Sequence, residues 1–401
     1  PMFAVLSAAR KRLRLPRLAR VATAALGMVA LAACDPIQMG SLPGGGGDDG
    51  QRIDTSKPVP VALLVPKSDA GAGAVARALE NAARLAVAEL DGVKIDLRVY
   101  DTAGNASTAA AQAQKAVDQG AKIILGPLFG ESANAVGVQV ADDNVNVLSF
   151  SNNPSIAGGN VFVLGATFRN TAQRLLGYAA RNGKRTVAIV HPNNVEGQFG
   201  RAAIQAAAGA NGIQVVASEG FEFSQAGVVG AMPRIAAAAQ NADAVVLTSN
   251  AAGALPLLAQ LLPENGISSP THQYIGLGRW DAPQQTLELP GLQNGWFAMP
   301  DQTRISGFQG RYRGAYGAAP HPLAGLGFDG IAAIGALVAQ GKSDALTRGA
   351  LTQSAGFQGV GGVFRLLPDG TNERALAVAT VRDKKVVIID PAPTRFGGAG
   401  F

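Results

Sequence analysis

From Val59 onward the chain alternates short apolar runs rich in β-branched residues with Ala-rich stretches of helical period. The runs VALLV, IDLRVY, KIILG, NVLSF and VFVLG form a first set, with helical patterns over residues 75–89 and 108–119. Strands buried on both faces lose polar alternation, and parallel neighbours need a crossover helix, so this order predicts an α/β protein of doubly wound parallel sheets. A second set, TVAIVH, IQVVASEGF, DAVVLTS and QYIGLG, carries helical patterns over residues 170–182, 201–211, 228–241 and 254–262 and predicts a second sheet. Beyond it come GWFAMPD, a long helical region over 305–340, and a terminal strand pair, GVFRLL and RALAVATVRDKKVVIID, turned by Pro368-Asp369-Gly370. The halves share a plan but no sequence repeat.

The N-terminus decides the compartment. Arg10, Lys11, Arg12, Arg14, Arg17 and Arg20 precede the apolar run VATAALGMVALAA, with no acid before Cys34. A basic region, a short apolar run and small residues at its end predict a signal peptide over residues 1–33 rather than a membrane span of about 20 residues. Leu31-Ala32-Ala33-Cys34 resembles the lipobox of bacterial lipoproteins, which implies cleavage before Cys34 and lipidation of its thiol. By the same resemblance, Asp35 favours the inner membrane. Residues 34–57, with Gly44 to Gly47 and no periodicity, read as a flexible tether. Cys34 is the only cysteine, so no disulfide forms within one molecule.

Export also changes the charge argument. The chain holds 34 Lys+Arg against 28 Asp+Glu, but removing the six signal bases leaves 28 against 28. The basic pI therefore gives no reason to expect nucleic acid as a partner. Hydrophobic residues make up 47% and charged ones 15%, enough apolar surface for the cores of two domains.

In open parallel sheets ligands lie outside the carboxyl ends of the strands. Those ends carry Lys67-Ser68-Asp69, Leu128-Phe129 and Ser151-Asn152-Asn153 in the first half, and His191-Pro192-Asn193-Asn194, Ser249-Asn250 and Gly278-Arg279-Trp280 in the second. Neutral hydrogen-bonding groups with a few aromatics suit holding a small polar molecule better than breaking a bond. The three histidines, His191, His272 and His321, show no metal-ligand spacing, and neither a G-x-S-x-G elbow nor a Walker loop occurs. No enzyme, metal or cofactor is expected. Gly71, Gly73 and Ala76 match G-x-G-x-x-A, but Pro66 to Ala70 separate them from the strand end where a pyrophosphate site needs its first glycine. That loop is read instead as a cleft loop with Ser68 or Asp69 near the ligand.

VALLVPKSD with NAARLAVAEL, AKIILGPL with VNVLSFS, TVAIVHPNNVEGQFGR, GFDGIAAI and GFQGVGGVFRLLPDG, in that order, resemble the type I periplasmic solute-binding proteins of the leucine/isoleucine/valine-binding group. The resemblance implies two lobes, residues 58–165 with 300–345 and residues 166–299 with 346–391, before a tail at 392–401. It implies hinge crossings near residues 165–168, 298–301 and 343–352. Carried over by position, the ligand contacts would be Ser68, Leu128, Phe129, Ser151, Asn152, Asn153, Glu196, Phe199 and Asn250, with Phe328 in the segment that returns to the first lobe. His191, Arg279 and Trp280 join them as residues at strand ends. Glu196 would suit an ammonium group; without it, Arg279 would point to an anion. The implied function is a lipid-anchored, non-enzymatic periplasmic receptor for a small polar ligand, amino-acid-like or a small anion, serving an ABC importer. GWFAMPD, FQGRYRGAYGAAP and LAGLGFDGIAAI also resemble the penicillin-binding-protein activator lipoproteins. That likeness implies an alternative, regulation of a peptidoglycan synthase by contact.

Overall fold

The structure is a computed structural model that describes residues 50–269 and 271–397. The expected signal segment, lipidated Cys34, Asp35 and most of the tether lie outside the described residues, as does the end of the tail. Among the described residues no helix is long and apolar enough to cross a membrane.

The first sheet joins β1 (Val59–Val65), β2 (Ile95–Asp101), β3 (Ile123–Leu125), β4 (Asn146–Ser149) and β5 (Val161–Val163) in the order β2-β1-β3-β4-β5, all parallel. Its central strands are apolar throughout because both faces are covered. Val61, Leu63 and Val65 point into one core, and Ala62 and Leu64 point into the other. The first face meets α1 (Gly73–Glu89) through Leu79 and Ala83. The second meets α2 (Ala106–Asp118) and α3 (Gly130–Gln139) through Ala109, Ala113 and Val136. This is the period-2 rule applied to a strand with no solvent face.

The second sheet has seven strands: β6 (Thr186–Pro192), β7 (Gln214–Phe221), β8 (Ala244–Leu247), β9 (Gln273–Gly276), β10 (Trp296–Met299), β14 (Ala377–Arg382) and β15 (Lys385–Asp390). Their order is β15-β14-β10-β9-β8-β6-β7, with only β14 and β15 antiparallel to their neighbours. α4 (Phe168–Arg181) and α5 (Val195–Ala210) cover one face, and α6 (Gln225–Ala239) and α7 (Leu255–Glu264) the other. The fold is therefore two doubly wound α/β lobes.

Three expectations need correction. The helical region over 305–340 is two helices, α8 (Gln302–Tyr316) and α9 (Ala324–Val338), because Gly317 ends α8 in the left-handed region at φ +74 and Pro320 and Pro322 follow. The last long strand is three: β13 (Asn372–Arg374) pairs with β12 (Gly362–Leu366), which pairs with β11 (Phe357–Gly359), whereas β14 and β15 join the second sheet. Residues 346–391 consequently do not all belong with the second lobe. Leu346, Leu351, Phe357, Phe364 and Leu366 are buried with Val61, Leu79 and Ile334 of the first. The third crossing between lobes thus falls at Ala375-Leu376, between β13 and β14, and not at 343–352.

Candidate ligand-binding site

A cavity of about 700 Å³ opens at the carboxyl ends of β3 and β4. Leu128, Phe129, Gly130, Phe150, Ser151, Asn152 and Asn153 form one wall. Ile305, Leu323, Leu326, Val360 and Val363 make the apolar remainder. Gly165 and Ala166, Pro300, and Arg374 to Leu376 also line it, so each of the three crossings touches the cavity.

A set of uncharged polar groups gathers in one corner. A methyl added to Gly130, the first residue of α3, would stand 3.4 Å from Ser151 Oγ and 3.5 Å from Asn153 Nδ2. Asn153 Oδ1 accepts from Ser155 N (2.9 Å) and Ser155 Oγ (2.8 Å), which leaves Nδ2 facing Gly130 and Ser151. Ser151 Oγ accepts from Asn153 N at 3.1 Å, which sets the loop geometry. α3 has no side-chain cap, so its first backbone N–H groups remain donors at this corner.

Three charged residues missed by the sequence reading also line the cavity: Glu131, in the first turn of α3, Asp329 and Arg374. Asp329, 1% exposed, accepts from Val360 N at 2.8 Å and pairs with Arg374 Nη1 at 2.9 Å. Arg374 also donates through Nε and Nη2 to Leu164 O. The pair ties α9, the β11–β12 turn and the first crossing together. A signal for Asp329 existed: it is the only charged residue in the fifteen of α9. An acid in an apolar helix requires a partner.

The second lobe offers a smaller pocket of about 190 Å³, lined by Pro192, Asn194, Glu196, Phe223, Ser249 and Asn250 among others. Asn250 Nδ2 donates to Glu196 Oε1 at 3.5 Å, and Ser249 Oγ is buried without a hydrogen-bond partner.

The expected site residues thus divide. Leu128, Phe129, Ser151, Asn152 and Asn153 share the large cavity, and Glu196 and Asn250 share the small pocket. Ser68 is exposed and lines neither; its N–H donates to Asp101 Oδ1 at 3.2 Å. Burial works against the Asp101 charge, yet donors from Ala103 and Ser68 hold its carboxyl below the usual value. Phe199 is exposed on α5 and lines neither cavity. His191 is buried with Nδ1 against Pro192 O at 3.1 Å and lines neither.

Three further expected contacts, Trp280, Arg279 and Phe328, line neither cavity. Trp280 is fully buried, seated on Gly276 and Gly295, where any Cβ would come within 2.4 Å of its ring, and it packs beside Phe297. It is a core residue because two glycines leave it a slot. Arg279 forms a two-pronged pair with Asp281, so its charge is already answered. Phe328 packs edge-on to Phe308 at 5.6 Å with the Arg311 guanidinium over its ring, on the α8 side of α9.

Two hinged α/β lobes with a cavity at the strand ends define a receptor fold, and the family follows from the sequence. Residues 58–385 match the model of the periplasmic binding protein family, and the chain belongs to it. A comparison with curated proteins returned no match. Among solved structures the chain is similar to a putative branched-chain amino acid ABC transporter protein from Rhodospirillum rubrum, at 20% identity and TM-score 0.71, covering 83% of this chain and 100% of that one. It is also similar to a solute-binding protein of an ABC transporter from Rhodopseudomonas palustris in complex with 3,4-dihydroxybenzoic acid (18%, TM-score 0.56, 84% and 97% covered). A third is the branched-chain amino acid substrate-binding protein LivJ from Streptococcus pneumoniae in complex with isoleucine (17%, TM-score 0.55, 84% and 100% covered).

Proposed function

We propose that this chain is a non-enzymatic periplasmic receptor, anchored by lipid at Cys34, that closes on a small molecule with an apolar body and an anionic head and presents it to an ABC importer. The observation that carries this reading is the uncharged polar corner of Gly130, Ser151 and Asn153 at the strand ends, in a cavity whose Asp329 and Arg374 are paired with each other and whose remaining charged residue, Glu131, stands in the first turn of α3. A carboxylate there would accept from the α3 N-terminus, the Ser151 hydroxyl and the Asn153 amide, while the ligand's apolar body lies against Leu323, Leu326 and Val363. Glu196 supplies the opposite charge from the second lobe, so a ligand that also carries an ammonium gains a contact only on closure. Family membership and the folds of the transporter proteins above support binding without chemistry.

Calorimetry and thermal shift with leucine, isoleucine and benzoates test it. A ligand that raises the melting temperature, and whose affinity drops about tenfold in Ser151→Ala, is expected from the loss of one charge-assisted hydrogen bond. If none of these binds while a peptidoglycan synthase co-purifies with the chain, the receptor reading fails and regulation by contact replaces it.

A further inference from the structure

The crossings between lobes are not held alike. At the second, Asp301 N donates to Gly361 O at 3.0 Å, an ordinary backbone bond. The first and third run side by side, and apart from Val163 N to Gly370 O they are joined by side chains. Asn372, 0% exposed, donates through Nδ2 to Val163 O at 2.7 Å and to Gly165 O at 2.9 Å. Its backbone carbonyl accepts from Asn170 Nδ2 at 2.8 Å, at the start of α4. One buried residue therefore holds β5 and the crossing through its side-chain amide and the first helix of the second lobe through its backbone carbonyl.

The orientation of that amide is not arbitrary. Both of its near neighbours are carbonyl oxygens, so the nitrogen must face them. Oδ1 is then left buried with no hydrogen-bond partner. An orphaned acceptor is costly, and it is retained where the donors on the other side matter more. Gly165, which Asn372 holds, is pressed against the ligand corner: Gly165 N donates to Ser151 O at 3.1 Å, and a Cβ at Gly165 would stand 2.6 Å from that oxygen.

We propose that Asn372 is the positioning residue of the hinge. It clamps residues 163–165 between the ligand-corner loop and α4, so that lobe angle and the placement of Ser151 are set together. Its effect on affinity rests on the function proposed above, whereas its effect on lobe angle does not.

The test uses the full chain with Cys34→Ser and spin labels at Val138→Cys and Val229→Cys, exposed positions on α3 and α6. In ligand-free protein, Asn372→Leu, which keeps the branched outline of the side chain but removes both of its donors, is expected to broaden the distribution of distances between lobes. Affinity for the ligand that the parent binds should fall about tenfold. Arg169→Ala, which removes an exposed bridge to Asp369 across the same crossings, should leave the distribution unchanged. If Asn372→Leu does not fold, Asn372→Ser decides, with partial broadening expected because a hydroxyl can hold one carbonyl. An unchanged distribution in the folded variant overturns the proposal. A broadened one in a protein that binds no ligand retains it and overturns the proposed function instead.

Discussion

The two lobes share a plan and differ at their strand ends. The first ends in a cavity of about 700 Å³ with largely apolar walls, an uncharged polar corner and the paired Asp329 and Arg374; the second ends in a pocket of about 190 Å³ with Glu196 beside Asn250. Under the proposed function, a ligand would place its apolar body and its head in the first lobe and meet Glu196 only when the second arrives. The asymmetry teaches that affinity and closure can be carried by different residues, and substitutions should separate them.

The largest effects concern stability. Trp280→Ala should cost about 3–5 kcal/mol in denaturant unfolding, as for other large aromatic core truncations, and leave ligand affinity in the surviving folded protein nearly unchanged. A loss of affinity without loss of stability would return Trp280 to the site. Asp329→Ala should cost about 3 kcal/mol because it leaves the Arg374 charge in the wall of the first cavity with its acid removed. Replacing both by apolar residues should recover much of that loss, since a buried pair rarely outperforms good packing.

Next comes Glu196→Gln. It should lower affinity for an amino acid about tenfold while leaving a plain benzoate unaffected, because only the amino acid carries an ammonium. Equal losses for both ligands would break the division of labour between lobes. The smallest effect is acid-dependent. The Asp101 carboxyl titrates lower in the folded chain than in the unfolded one, so its stabilisation is present above the unfolded value and is lost as pH falls through the folded one. Asp101→Asn should therefore remove a few tenths of a kcal/mol from the acid limb of a pH–stability curve, solvent screening keeping the effect small.

The strands and most helices were legible because their signals are local. A run such as VALLV between helical patterns needs only its own residues to declare a buried parallel strand. Ser151 and Asn153 were legible for the same reason, since the end of a parallel strand can be read from the run that precedes it. GFDGIAAI points to Phe328, whereas its neighbour Asp329 lines the cavity: the motif places both on one helix, but which face meets α8 depends on the packing of two helices. Trp280 stood at a strand end yet turned inward, because Gly276 and Gly295, one on either side of it in the chain, together make its slot.

By itself the sequence determined the α/β class, the order of elements, the family and the loops that could face a ligand, all consequences of short-range periodicity and turn chemistry. Only the tertiary structure decided that residues 346–374 return to the first lobe, that Asp329 finds Arg374, and that Asn372 clamps the crossing 207 and 209 positions before it. Those pairings join segments that no local pattern relates. They follow from which buried polar groups must find partners once the two cores have formed.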